Sequence, residues 1–173
     1  MQYISAPWRE EYIRKIVKMS RCIFCQALKA KSDREAFILF RGDHNFILLN
    51  KYPYTTAHLL IAPYKHMSSF EKADKPLTDE MTDLLKLSLK VLKKVYRPHG
   101  FNTGMNLGQS AGAGVADHYH LHVILRWTGD SNFMPIVSKT KIMLEDLKTT
   151  YDHLFPFFQK IKRGKKLASR KSC

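Results

Sequence analysis

The sequence predicts an α+β domain built on a mainly antiparallel sheet, and three observations lead there. AFILF (36–40) and NFILLN (45–50) are short apolar runs joined by the turn RGDH, the pattern of a β-hairpin. Helical periodicity is set apart from the strands instead of alternating with them. A chain of 173 residues, 45% apolar and 25% charged, has the size and composition of one globular domain.

Taken in order, residues 7–18 start with Pro7, suited to a first helical turn, and Ile13, Ile16 and Val17 form one apolar stripe. Cys22 and Cys25 follow in a turn, then the hairpin. KYPYTTA is a loop, and HLLIAP (58–63) is a strand closed by Pro63. From Thr78 to Tyr96, Met81, Leu84, Leu85, Leu92, Val95 and Tyr96 keep helical spacing. Acidic Asp79 and Glu80 stand at the start and basic Lys93, Lys94 and Arg97 at the end, as the helix dipole favours. Pro98 and Gly100 stop this helix. FNTGMNLG (101–108) is a short strand running into the small-residue loop GQSAGAG, and 118–126 is another strand. Residues 140–162 read as helix, kinked or ended by Pro156. The expected organisation is one domain over 1–160 and a flexible basic tail over 161–173.

Composition limits the function classes. No apolar run approaches the ~20 residues of a membrane helix. MQYISAPWREEYIRKIV lacks the apolar stretch of a secretory signal, so the expected location is cytoplasmic. The net charge is +14, and seven of the basic residues lie in QKIKRGKKLASRKSC with no acid among them. That tail is expected to be a solvated terminus, with nucleic-acid contact as the alternative. The positive field of the body suits an anionic ligand such as a nucleotide. Three cysteines are too few for a disulfide scaffold, and the C-x-x-C pair Cys22/Cys25 points to a metal knuckle or a redox pair.

The chemistry centres on DHYHLHVILRW (117–127). On a strand, His118, His120 and His122 share one face while Tyr119, Leu121 and Val123 share the other. Three imidazoles in register are hard to read as core, because each buried ring needs hydrogen-bond partners. Two readings compete. In one the row holds a catalytic zinc, since H-x-H can supply two ligands from one face. In the other, one neutral imidazole attacks phosphorus through Nε2 while a neighbour steadies the non-bridging oxygens. NLGQSAGAG favours phosphate chemistry: its glycines, Gly108 first, let backbone amides approach an anion. Asn106, Gln109 and Ser110 add uncharged donors.

At this point HYHLHVI resembles the signature of the histidine triad (HIT) superfamily. FILLN, then His58 eight residues later, then LLIAPYKH resemble the ribose-side strand and loop of those proteins. Arg126, Trp127, Gly129, Asp130, Asn132, Phe133, Met134 and Pro135, with the early APWREEYI, resemble a bacterial branch that includes diadenosine tetraphosphate phosphorylases. The resemblance implies that His120 is the nucleophile that becomes nucleotidylated and that His122 contacts the α-phosphate. It implies that Asn50 binds ribose hydroxyls, that Asn106 lies near the scissile phosphate, and that His58 belongs to the site.

The chain departs from the pattern at three places. Gly114-Val115-Ala116-Asp117 stands where many members have a Gly-Gln pair, so the Gln facing the leaving group is missing there. Leu125 replaces a usual proline, and Ala57 a usual glycine; both look conservative for the fold.

Zinc-containing HIT proteins and their galactose-1-phosphate uridylyltransferase relatives resemble this chain in using two cysteines. The resemblance implies a closed structural zinc site of Cys22, Cys25, His66 and His118, with His44 a weaker candidate for the fourth ligand. It also implies a homodimer and nucleotidyl transfer from an adenine dinucleoside polyphosphate, with inorganic phosphate or water as acceptor. The alternatives are a dinucleotide or nucleoside phosphoramidate hydrolase of the same family, or a nucleotide-binding regulatory protein with weak activity.

Overall fold

The computed structural model describes residues 22–130 and 143–169, with side chains described through Ile161 in the last helix. The expected helix over 7–18 lies outside the described residues, as do Asn132, Phe133, Met134 and Pro135. The described elements are helix α1 (Ile23–Leu28), strands β1 (Ile38–Arg41), β2 (Asn45–Leu49) and β3 (Leu59–Pro63), helix α2 (Lys75–Tyr96), strands β4 (Gly100–Met105) and β5 (Leu121–Arg126), and helix α3 (Leu147–Ser169). The five strands form one sheet in the order β1-β2-β3-β5-β4, antiparallel at every pairing. The α+β, antiparallel expectation is therefore met.

Alternation along the strands places two cores on the two faces. Ile47, Leu49, Leu59, Ile61, Leu121, Val123 and Leu125 face α2 and α3, where Met81, Leu84, Leu92, Tyr151, Leu154 and Phe158 are buried against them. Ile38, Phe46, Leu48, Leu60 and Ala62 face the other way, onto Phe24 and Ala27 of α1. β2 and β3 are buried on both sides, which is why they read as continuous apolar runs.

Several boundaries shift, each for a local reason. Cys22 and Cys25 are not in a turn: Cys22 is the N-cap of α1 and Cys25 lies in its first turn. The spacing of Phe24 and Ala27, both buried, selects the helix. α2 begins at Lys75, because the Asp74 carboxylate accepts the Leu77 N–H and Pro76 fits the first turn. α3 is continuous through Pro156, which was expected to kink or end a helix. A helical proline costs ~3 kcal/mol, whereas burying Tyr151, Leu154 and Phe158 contributes roughly 2 kcal/mol each. Packing wins.

The β5 ladder starts at Leu121 and not at His118. Continued past Ile61↔Leu121, the register would set Tyr119 opposite Pro63, which has no N–H to exchange. The Tyr119 N–H donates to the Met67 carbonyl instead. Ala57, in place of the family's usual glycine, adopts φ 57°. The substitution is thus not neutral for the backbone, since the left-handed region costs an L-residue roughly 1–2 kcal/mol. The buried Ala57 methyl recovers part of that by packing in the core.

Glu80 ties α2 to the β1–β2 hairpin. Its carboxylate accepts the backbone N–H groups of Asp43, His44 and Asn45 at 2.6, 2.8 and 2.7 Å, and the Asn45 amide at 2.9 Å. Burial alone would push this carboxyl up, but the Asn45 amide and the three backbone donors outweigh it and hold it below the usual carboxylate value. A depressed carboxyl stabilises the fold above its unfolded pKa, and that stability is lost as pH falls through the lowered folded value. Glu80→Gln is expected to cost about 2 kcal/mol near neutral pH. Urea titrations of both proteins at about pH 7 and about pH 4 should show the difference shrinking toward acid.

Candidate active site and metal cluster

The site lies where the β5 end of the sheet meets α1. His122 is in the ladder, opposite Leu60 of β3 and Gly104 of β4. His120 and His118 precede it on the same face, while Tyr119, between them, is buried in the core under α2 and α3. The three rings do form a row, His120 and His122 meeting edge to face at 4.8 Å.

Two of the rings have their protons placed by carbonyl groups. His118 Nε2 is 2.9 Å from the Pro63 carbonyl, and His120 Nδ1 is 3.0 Å from the His118 carbonyl. A carbonyl only accepts, so these nitrogens carry the N–H. The bare lone pairs are then Nδ1 of His118 and Nε2 of His120. Burial lowers all three imidazole pKa values, to about 4 for His118 and His122. The row is uncharged at neutral pH.

The bare His118 Nδ1 faces sulfur. It lies 3.3 Å from Cys22 Sγ and 3.9 Å from Cys25 Sγ, and Cys25 Sγ lies 3.4 Å from His66 Nδ1. The four donor atoms are all within 4.8 Å of one another. A tetrahedral zinc with bonds of 2.0–2.3 Å needs ligand–ligand edges of roughly 3.3–3.8 Å. Burial pushes the Cys22 thiol up, so a cation is what would hold this sulfur as thiolate. Two sulfurs, a nitrogen stripped of its proton and two edges of tetrahedral length, 3.3 and 3.4 Å, fit such a metal, and the cluster can bind one. His44, the weaker candidate, is not among these residues; its backbone N–H is held by Glu80. Nor are His120 and His122 in the cluster, so among the described residues the row as a whole does not form a metal site.

Beyond His122 the row continues into His58. His58 Nε2 is 2.9 Å from His122 Nδ1, and the Tyr54 ring lies over His58 at 4.9 Å. His122 Nε2 is a buried polar atom with no hydrogen-bond partner among the described residues. Asn50 is next in line, its amide 3.3 Å from His58 Nδ1. It also lines a cavity of about 370 Å³ between α1 and the sheet, walled by Ile23, Gln26, Ala27, Leu48, Leu60 and Tyr52. The structure thus brings Asn50, His58, His122 and His120 together along one line.

Asn106, Gly108, Gln109 and Ser110 are placed less tightly. Asn106 follows Met105, the last residue of β4 paired to β5, and so stands beside the His120 end of the row. Gln109–Ala111 form a 3₁₀ turn bracketed by Gly108 and Gly112, both at φ 80°, a conformation glycine adopts without strain. The three candidate residues of that turn are solvent-exposed and make no hydrogen bond to the histidines.

Sequence reasoning missed Phe24. Its ring is fully buried, 4.9 Å from His118 and 4.8 Å from His120, and carries α1 onto the row. The available signal was its place between the two cysteines. Arg126 and Asp130 form a bidentate ion pair at 2.6 and 2.9 Å, and Arg126 also donates to Asn102 on β4. That part of the bacterial-branch block closes the turn after β5. At the same turn the exposed His99 accepts the Thr128 N–H at 2.9 Å.

The HIT domain model matches residues 31–129, more than half of the chain. This chain belongs to the HIT family. It is 40% identical over 119 residues to the AP-4-A phosphorylase of Mycobacterium tuberculosis, covering 69% of this chain and 61% of that protein. The HIT chain therefore spans about three-fifths of that relative's length. A solved histidine triad nucleotide-binding protein from Sulfolobus tokodaii superposes with a TM-score of 0.65 at 26% identity, over 82% of this chain and 95% of its own. A Zn-bound histidine triad family protein from Mycobacterium smegmatis shares the fold, with a TM-score of 0.65 at 21% identity over 84% and 98% of the two chains. Family and fold agree with the resemblance read from the triad. No described helix is long and apolar enough to cross a membrane.

Proposed function

We propose that this HIT protein transfers a nucleotidyl group from a dinucleoside polyphosphate, of the diadenosine tetraphosphate kind, through a covalent adduct on His120. The observation that carries this is the His120 tautomer: with Nδ1–H held by the His118 carbonyl, the Nε2 lone pair is bare and uncharged. In the first step that lone pair attacks the α-phosphorus. The bond from phosphorus to the bridging oxygen breaks, and ATP leaves with the electron pair. In the second step an oxygen of inorganic phosphate attacks the same phosphorus, the N–P bond breaks and ADP is released. With water as acceptor the product is AMP. The unpartnered His122 Nε2 suits a non-bridging phosphate oxygen, whose charge grows in the transition state.

The cavity beside Asn50 would take the nucleoside, its apolar walls facing the base and the Asn50 end meeting the ribose. Asn106, Gly108, Gln109 and Ser110 would border the polyphosphate, as the loop following β4. Cys22, Cys25, His66 and His118 would hold a structural zinc, whose chemistry here is to join α1 to the triad segment. A homodimer formed through β4 fits this strand, an edge of the sheet with Asn102, Thr103 and Gly104 exposed. Light scattering in solution tests it.

The deciding experiment incubates the protein with diadenosine tetraphosphate, with and without inorganic phosphate, and identifies products by mass. ATP with ADP, formed only when phosphate is present, is the expected result; it follows the 40% identity to a phosphorylase. AMP with ATP in water alone would make the protein a hydrolase. No turnover of any dinucleotide would leave a nucleoside phosphoramidate hydrolase or a nucleotide-binding protein.

A further inference from the structure

Hydrogen-bond roles around His58 can be assigned, because two of its neighbours have only protons to offer. The Tyr54 backbone N–H donates to His58 Nδ1 at 3.1 Å. The Asn50 side chain is oriented by the Tyr52 N–H, which donates to its Oδ1 at 2.9 Å, so its NH₂ group is the end that faces His58 Nδ1 at 3.3 Å. His58 Nδ1 therefore accepts, and the neutral ring carries its proton on Nε2. That Nε2–H faces His122 Nδ1 at 2.9 Å, so His122 Nδ1 also accepts. His122 is left with its proton on Nε2, the buried atom without a partner.

We propose that Asn50 is a positioning residue for His122: its amide holds His58 in the tautomer that leaves His122 Nε2 an N–H donor. The proposal rests on the nucleotidyl-transfer reading for what that donor meets, a phosphate oxygen. It gives Asn50 a second task beyond the ribose contact that the family resemblance implies. Its NH₂ group has one further proton and its Oδ1 one further lone pair, so a ribose hydroxyl can bind without displacing either internal bond. Nucleoside recognition and phosphoryl chemistry would then share one buried side chain, 6% exposed. The ribose contact would help to order the residue that sets the His122 proton.

The test reads tautomers first. In the zinc-loaded full-length protein without nucleotide, histidine ¹⁵N shifts are expected to show His58 and His122 each protonated on Nε2 alone. A His122 protonated on Nδ1 overturns the proposal. Asn50→Asp then separates the two tasks of this residue. A carboxylate still accepts ribose hydroxyls but has no proton for His58, so its oxygen would face the Nδ1 lone pair. The expected result is loss of the single-tautomer pattern at both rings. Alongside it, kcat falls about 100-fold, the size of losing one preorganised donor, and KM moves little. Unchanged shifts with the loss confined to KM would make Asn50 a ribose ligand only, and the proposal fails. If the wild-type protein turns over no dinucleotide, the functional reading falls while the shifts still decide the Asn50 assignment. Should the variant not fold, Asn50→Ala takes its place, and His58 and His122 still protonated on Nε2 alone in that variant, with the Tyr54 N–H as the remaining donor, overturn the proposal.

Discussion

His120→Ala is expected to lower turnover of diadenosine tetraphosphate by about 10⁴-fold or more, because in the proposed mechanism its Nε2 forms the bond to phosphorus. His120 is 6% exposed and its Nδ1 is tied to the His118 carbonyl, so the ring has one orientation and one available lone pair. In the proposed mechanism its loss removes the first chemical step and not merely a contact. The companion His122→Ala should retain far more activity, falling roughly 10²–10³-fold, since it removes one donor to a charge that other groups also stabilise. Intact-mass spectrometry after rapid mixing checks the distinction. Wild type and the His122 variant should carry a nucleotidyl adduct, and the His120 variant none. Substantial activity in His120→Ala, abolished by chelation, would mean that a metal is the catalyst and would sink the covalent mechanism.

The second large effect concerns stability. Cys22→Ser with Cys25→Ser, or removal of zinc with a strong chelator, is expected to destabilise the domain by about 4 kcal/mol and lower Tm by about 10 °C. The magnitude follows from what the cluster joins. α1 has only six residues and reaches the sheet through Phe24 and Ala27, while the metal would add a cross-link to His66 and His118, 41 and 93 positions from Cys25. Because α1 also walls the cavity beside Asn50, AMP affinity should fall together with Tm. Zinc stoichiometry by elemental analysis, calorimetric melting and AMP titration of the two forms measure this. A protein purified without zinc that melts at the same temperature with and without chelator would remove the structural-metal reading.

The main elements were legible because their signals are local. The apolar run in 45–49 and the periodicity in 75–96 follow from which side chains must leave water. The misplaced boundaries have tertiary causes. Pro156 remains inside a helix because Tyr151, Leu154 and Phe158 are buried beneath the sheet. The ladder stops short of the first two histidines because Pro63 would lie across from Tyr119, between them. Neither cause is visible within a window of sequence.

From its sequence alone this chain reads as an α+β fold with imidazoles in a row, two cysteines set for a metal and a small-residue loop nearby. Those are matters of residue type and short spacing, which a linear order records. The division of labour within the row was decided by the folded structure. Carbonyls of Pro63 and His118, the thiols of α1 and the amides around His58 each meet a ring at hydrogen-bond distance, and that contact decides which nitrogen keeps its proton. A tautomer is set by whatever stands three ångströms away, and here that neighbour can be 96 residues distant along the chain.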